Sequence, residues 1–217
     1  MQRPRRTQRL HIGLLLSFAA ILVWSIINPR DLFTWFLEVL PAIVGVIVIV
    51  ATYNRFRMTT LVYSLVWLHA IVLIVGGHYT YAEMPLFNWL RDTFHLDRNY
   101  YDRVGHFAQG FVPAIIAREV LLRVTPLKKG KMLSFIIICI CLAISAFYEF
   151  VEWWVAVATG SAADAFLGTQ GDVWDTQWDM FLAFCGASSA VLLLSRFHDS
   201  RLQRFLDQDT KLETQGR

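Results

Sequence analysis

The stretch LSFIIICICLAISAFYEFVEWWVAV, residues 133–157, decides the fold. Its first sixteen residues carry no charge. Crossing a bilayer core takes roughly 17–25 mainly apolar residues, so the run is long enough to span. It is continuously apolar rather than alternating, which reads as a helix and not as a barrel strand. Glu149 and Glu152 then interrupt it. Ionisable groups inside a span commonly cost a few kcal/mol each, so these two need an explanation.

Five further segments have the same character, and together the spans are 10–27, 32–51, 59–78, 102–122, 133–157 and 176–195. The expected fold is all-α: a polytopic membrane protein, a bundle of six transmembrane helices forming one integral domain over 1–217, with a tail at 196–217. Composition agrees. The 217 residues are 56% hydrophobic and 17% charged, with a mean hydropathy of +0.45. Soluble domains carry about a quarter charged residues, which excludes a soluble globule and a disordered chain.

The net charge of +3 hides an asymmetry. Sixteen of the twenty Lys and Arg flank the N-terminus, the 52–58 loop, the 123–132 loop or the tail. Arg30, Arg91, Arg98 and Arg103 fall on the opposite side. The positive-inside rule then places both termini in the cytoplasm. The first span has a basic flank but no small-x-small cleavage signal, so it reads as a retained anchor. Cys139, Cys141 and Cys185 lie inside spans and read as small apolar fillers, not a redox framework. MPLFNWL, within the long outer loop, suits a short interfacial helix with Phe87 and Trp89 at headgroup depth. The tail suits an amphipathic helix with Arg196, Arg201 and Arg204 near anionic headgroups. Membrane lipids are the expected partners. The basic excess is accounted for by topology, so nucleic acid is not.

The acids gather on the other side. Nine of the seventeen Asp and Glu sit on the outer side or just within it, and Glu38, Glu149 and Glu152 lie in the outer halves of spans. At about 1.5 Å rise per residue, His106 and Asp179 lie roughly one turn below the outer ends of their helices; Glu152 lies about 7 Å and Glu149 about 12 Å below. Asp102, His106, Gln109 and Pro113 share one helical face. Asp175 and Asp179 form an i, i+4 pair, and the three acidic or His-bearing faces can converge as in carboxylate–histidine bundle sites.

Crowded carboxylates in a low-dielectric site must hold protons, pair with bases or bind a cation. Arg103 reads as the one fixed positive charge nearby. The expected metal ligands are Asp102, His106, Glu149, Asp175 and Asp179, with Glu149, Glu152 and Asp179 as acid/base groups. The expected cofactor is a divalent metal ion acting on an envelope lipid headgroup by binding or hydrolysis. A small transporter or proton-coupled permease, and a structural membrane partner without chemistry, are the alternatives. His69 reads as a satisfied core histidine, His78 as a ligand or an interfacial residue, and Glu38 as a partner of the backbone near Pro41. Arg118 and Glu119 read as snorkelling or paired locally at the inner helix end. The segment AFLGTQGDVWDTQWD, residues 165–179, reads as a lid over the cavity.

YDRVGHFAQGFVPAIIARE, YEFVEWW and AFLGTQGDVWDTQWDM together resemble the YjdF-like family of bacterial inner-membrane proteins. The resemblance extends over essentially all six spans and implies a multi-pass protein of the bacterial cytoplasmic membrane. A fainter likeness is to VanZ-like proteins, through Asp102 with His106, an intramembrane Glu, and Asp175 or Asp179. That likeness implies a role at the cell envelope.

Overall fold

The computed structural model describes residues 5–215. Arg3 and Arg217, and the side chains of Arg5, Arg6, Asp209, Lys211 and Glu213, lie outside the described residues, although the sequence reading of charge and tail includes them. The apolar segments become long helices: α1 (Arg5–Ile26), α2 (Leu32–Thr52), α3 (Thr60–Tyr79), α5 (Tyr101–Val124), α6 (Lys131–Thr159) and α8 (Asp175–Gln215). Between them lie the short helices α4 (Pro85–Phe94) and α7 (Asp164–Leu167). There are no strands among the described residues. Among the described residues, five stretches are long and apolar enough to cross a membrane: Thr7–Ile26, Leu32–Thr52, Thr60–Tyr79, Lys131–Leu167 and Asp175–Gln208. α5, at about 36 Å, has the length but not the apolar composition.

Local chemistry sets the ends of these helices. Asp31 caps α2 by accepting from the Thr34 amide at 2.7 Å, which holds its carboxyl below its ordinary range. Pro85 opens α4, where a missing amide hydrogen costs nothing, and this helix occupies the interfacial segment expected from MPLFNWL. Trp89 on it is exposed, whereas the Phe87 ring stands edge-on to Tyr101 at 5.3 Å. α8 runs through residue 195 without a break, so the expected tail is a continuation of the last helix.

α3 stands between two groups, with α1 and α2 on one side and α5, α6 and α8 on the other. One apolar core holds Phe18, Trp35, Val39, Ala42, Ala70 and Ile74 from the first three helices. The other draws Val62, Ala114, Ile115, Ile137, Cys141, Ala187 and Ala190 from α3, α5, α6 and α8. Indole hydrogen bonds from Trp35 to Ser25 (3.0 Å) and from Trp67 to Ser17 (2.9 Å) fasten α1.

α5 and α8 make the tightest pair. Arg103 meets Asp179 near one end and Arg118 meets Asp199 near the other, so the two helices run in the same direction. At Gly110 a Cβ would collide with the Ala183 carbonyl, and at Gly186 it would collide with the Phe107 carbonyl. Small residues let the backbones touch, as in membrane helix pairs generally. Gly186→Val is expected to cost about 1–3 kcal/mol by overpacking. Thermal unfolding in detergent should show the loss, while Gly45→Ala, which has open space around it, should leave the midpoint unchanged.

Candidate functional site

Polar groups concentrate at two levels of the bundle. The acidic level lies where α3 and α6 end and where α2, α5 and α8 begin. The basic level lies at the opposite ends of the same helices.

At the acidic level, Glu38, Asp102, Glu149, Glu152, Asp175 and Asp179 are all buried, together with Arg98, Arg103 and His106. Arg103 is therefore not alone, contrary to the sequence expectation. Arg98 donates to Asp175 at 2.7 Å and to the Gly168 carbonyl at 3.0 Å. Arg103 donates to Asp175 at 2.6 Å, to Asp172 at 3.1 Å and to Asp179. Asp175, expected among the metal ligands, thus lies between two guanidinium groups. Arg98 stands four residues before Asp102, a spacing visible in the sequence, but it precedes the helix and was easily missed.

His106 is the centre of the remainder. Its Nε2 lies 3.4 Å from Asp102 and 3.7 Å from Asp179. Donor atoms of Asp102, His106 and Asp179 all lie within 4.8 Å of one another, and those of His106, Glu149 and Glu152 do the same. The structure thus brings together Asp102, His106, Asp179, Glu149 and Glu152 in two overlapping groups that share His106, and it leaves Asp175 to the arginines.

Several atoms here lack partners. Asp102 Oδ2, His106 Nδ1, Gln109 Oε1, Ser145 Oγ and Glu149 Oε1 are buried without a hydrogen bond. Such orphaned groups are rare in folded proteins and each calls for a cause. His69 belongs with them, since its buried Nε2 has no partner and it lies within electrostatic reach of His106. It is therefore not the satisfied core histidine expected. Glu38 accepts from the Tyr81 amide at 3.3 Å and leaves Oε2 unpaired, so it serves this layer and not the backbone near Pro41. His78 lies apart, with its Nδ1 2.9 Å from the Ser25 carbonyl and its ring against Trp24.

The segment after α6 closes over this layer. Gly168 and Gly171 take positive φ and turn the chain back. Gln170 then exchanges two 2.9 Å hydrogen bonds with the Asn99 backbone, and Phe166 buries itself near the Tyr148 ring.

At the basic level the network around Glu119 differs in one respect: it is complete. Glu119 Oε1 accepts from the Thr59 amide at 2.8 Å and from Arg123 at 3.1 Å. Its Oε2 accepts from the Thr59 hydroxyl at 2.7 Å and pairs with His198 Nε2 at 3.0 Å. A guanidinium can only donate, so the 2.6 Å contact from Arg118 makes His198 Nδ1 the acceptor and leaves the proton on Nε2. Arg118 also meets Asp199 at 2.7 Å. Arg118 and Glu119 are both buried and join α3, α5 and α8, in place of the local pairing expected from the sequence.

These features define a class: a multi-pass helical membrane protein with a buried, charge-rich layer at one end. The chain belongs to the family described as "Predicted membrane protein (DUF2238)", whose model matches residues 10–200. It is 50% identical over 190 residues to "Inner membrane protein YjdF" of Escherichia coli (strain K12), covering 88% of this chain and 91% of that relative. The three motifs that carry the sequence resemblance all lie within the matched region. No solved structure matches the chain.

Removing one member of a buried ion cluster leaves its partners charged and unpaired, at a cost of about 3–5 kcal/mol. Arg103→Gln is expected to lose stability of that order in chemical unfolding of the detergent-solubilised protein. Adding Asp179→Asn to it should restore part of the loss.

Proposed function

We propose that the chain crosses the bacterial inner membrane six times, with both termini in the cytoplasm, and holds a divalent metal ion at the outer ends of α5, α6 and α8. The metal serves to bind or hydrolyse a phosphorylated headgroup of an envelope lipid. One observation carries the reading: the acidic level leaves buried donor atoms unpaired around His106, whereas the basic level of the same helices leaves none in its Glu119 network.

The charge arithmetic supports it. Six buried carboxylates face two arginines and one imidazole. The arginines hydrogen-bond Asp175, Asp172 and Asp179 and stand only at the longer distances of 3.7 and 3.9 Å from Asp102. Among the described residues, Glu38, Glu149 and Glu152 have no arginine at all within ion-pair distance. Unpaired carboxylates in low dielectric need protons or a cation. Oxygen donors with one imidazole suit Mg²⁺, Mn²⁺, Ca²⁺ or Zn²⁺. Asp102, His106 and Asp179 would hold the ion, with Glu149 and Glu152 on the other side of His106. A metal there supplies Lewis acidity toward a phosphoryl oxygen. Glu149 and Glu152 hold or take up protons beside it, and Arg98 and Arg103 fix the position of Asp179 and Asp175.

α5 counts as the sixth span because its charged groups are enclosed by protein, the condition under which such groups are tolerated in a membrane. The inner-membrane location follows the family and the Escherichia coli relative. The envelope role follows the fainter VanZ-like pattern. A permease finds less support, since Ala114, Ile115, Ile137, Cys141 and Ala187 form an apolar layer between the two polar levels. A purely structural role would have the acidic level as fully paired as the Glu119 network.

Two measurements test this. Elemental analysis of the purified protein, after incubation with each of the four metals, is expected to find about one ion per chain, lost in His106→Ala but retained in His78→Ala. Absence of stoichiometric metal in the parent chain overturns the metal assignment. For the topology, Glu83→Cys should react with an impermeant maleimide in intact cells, and Lys128→Cys only after lysis. The reverse pattern overturns the orientation.

A further inference from the structure

A cavity of about 290 Å³ lies between α1, α2 and α3, towards the basic level and away from the acidic cluster. Leu14, Leu15, Phe18, Val46, Ile49 and Val50 supply its apolar wall. Leu15 and Val50 are also exposed on the outer surface of the bundle, so the space is a groove accessible from the side. Its polar end is built from His11 and Tyr53, with Asn54 and Gln8 beside them. His11 is fixed by contacts to the Tyr53 hydroxyl at 2.8 Å and to Thr60 at 3.0 Å.

Arg57 stands behind this end. Its guanidinium carbon lies 5.3 Å from the centre of the Tyr53 ring. The residue is only 9% exposed, and its Nε is buried without a hydrogen-bond partner. Among the described residues no carboxylate lies within ion-pair distance of it, whereas Arg98, Arg103, Arg118 and Arg123 all have one. Glu119, which bonds the neighbouring Thr59, has its oxygens taken by Thr59, Arg123 and His198. Arg123 adds to the positive charge nearby by donating to the Arg57 carbonyl at 2.6 Å. Exposed Arg9 and Arg55 lie at the same end.

We infer that this groove binds one anionic phospholipid, with an acyl chain along the α1–α2 wall and the phosphate at Arg57. Three observations meet in that assignment. The apolar channel opens toward the lipid, its polar end is neutral but backed by Arg57 with Arg9 and Arg55 at the same end of the bundle, and Arg57 is buried with a donor unused. A desolvated cation needs a counter-charge, and none of the described residues supplies one. A lipid phosphate provides the acceptor oxygens, and Asn54 and Gln8 are placed to donate to the same headgroup. An uncharged lipid would fill the apolar wall but leave Arg57 uncompensated. The inference stands apart from the metal site, because the two lie at opposite levels of the bundle.

Native mass spectrometry of the full chain, released from detergent with equal amounts of phosphatidylglycerol and phosphatidylcholine, tests it. The parent chain is expected to retain one phosphatidylglycerol in preference. Arg57→Gln should reduce that preference about fivefold, the effect of one basic residue near an anionic surface. Arg55→Gln, which removes the same charge from the exposed neighbour, should leave the preference largely intact. Leu15→Trp, at a partly exposed groove position, should reduce retention of both lipids while leaving the thermal midpoint in detergent unchanged. The inference is overturned if the parent chain does not discriminate between the lipids. It is equally overturned if Arg55→Gln and Arg57→Gln act alike, which would mean diffuse surface charge.

Discussion

The guanidinium of Arg103 is the interaction on which the acidic level depends. It rises from the first turn of α5 and reaches Asp172, Asp175 and Asp179, so it joins the chain before α8 to α8 itself. Without it three carboxylates would share a space with one remaining arginine. With it, Asp175 and Asp179 hold fixed positions, and His106, one turn along α5, meets Asp179 at a defined distance. The backbone contact at Gly110 and Gly186 makes this reach possible, because a wider helix separation would take the aspartates out of range.

The two polar levels show how one bundle treats the same problem in two ways. Around Glu119 every carboxylate oxygen has two partners, and a neutral His198 relays between a guanidinium and a carboxylate. Such a network fixes geometry and has no capacity left for a ligand. Around His106 the same residue types are present in a different ratio, with acids in excess and acceptors unfilled. Stability alone favours the first arrangement, since half-satisfied buried networks are worse than apolar packing. The second arrangement is the one on which the proposed metal site rests.

Much of the fold was legible because bilayer thickness imposes a length on apolar runs, and each of the six expected spans corresponds to a helix. α5 is read as a span by the same length rule, but its composition is poor for one, and its polar face with Asp102 and His106 is enclosed by the neighbouring helices. The convergence of α5, α6 and α8 could be read from depth alone. Pairings between distant segments could not. Glu119 finds Thr59 and His198 at sequence separations of 60 and 79 residues, and nothing local distinguishes it from a charge at a helix end. Arg98 was hidden by its position in a loop. Only the folded chain shows that the loop turns back to bring Arg98 onto Asp175. His69 was misjudged because a histidine in an apolar run looks the same whether or not its nitrogen has a partner.

The last helix has a mechanical consequence. Its 41 residues span about 62 Å, roughly twice the hydrocarbon thickness of a bilayer. From Ala187 to Gln215 neither glycine nor proline interrupts it, so it behaves as a stiff rod. The rod lies backbone to backbone on α5 at Gly110 and Gly186 and is fastened to it again through Arg118, so roughly its first seven turns are pinned at both polar levels. The far end of the rod extends past the end of α5, and the aspartates at its start are carried on the braced part.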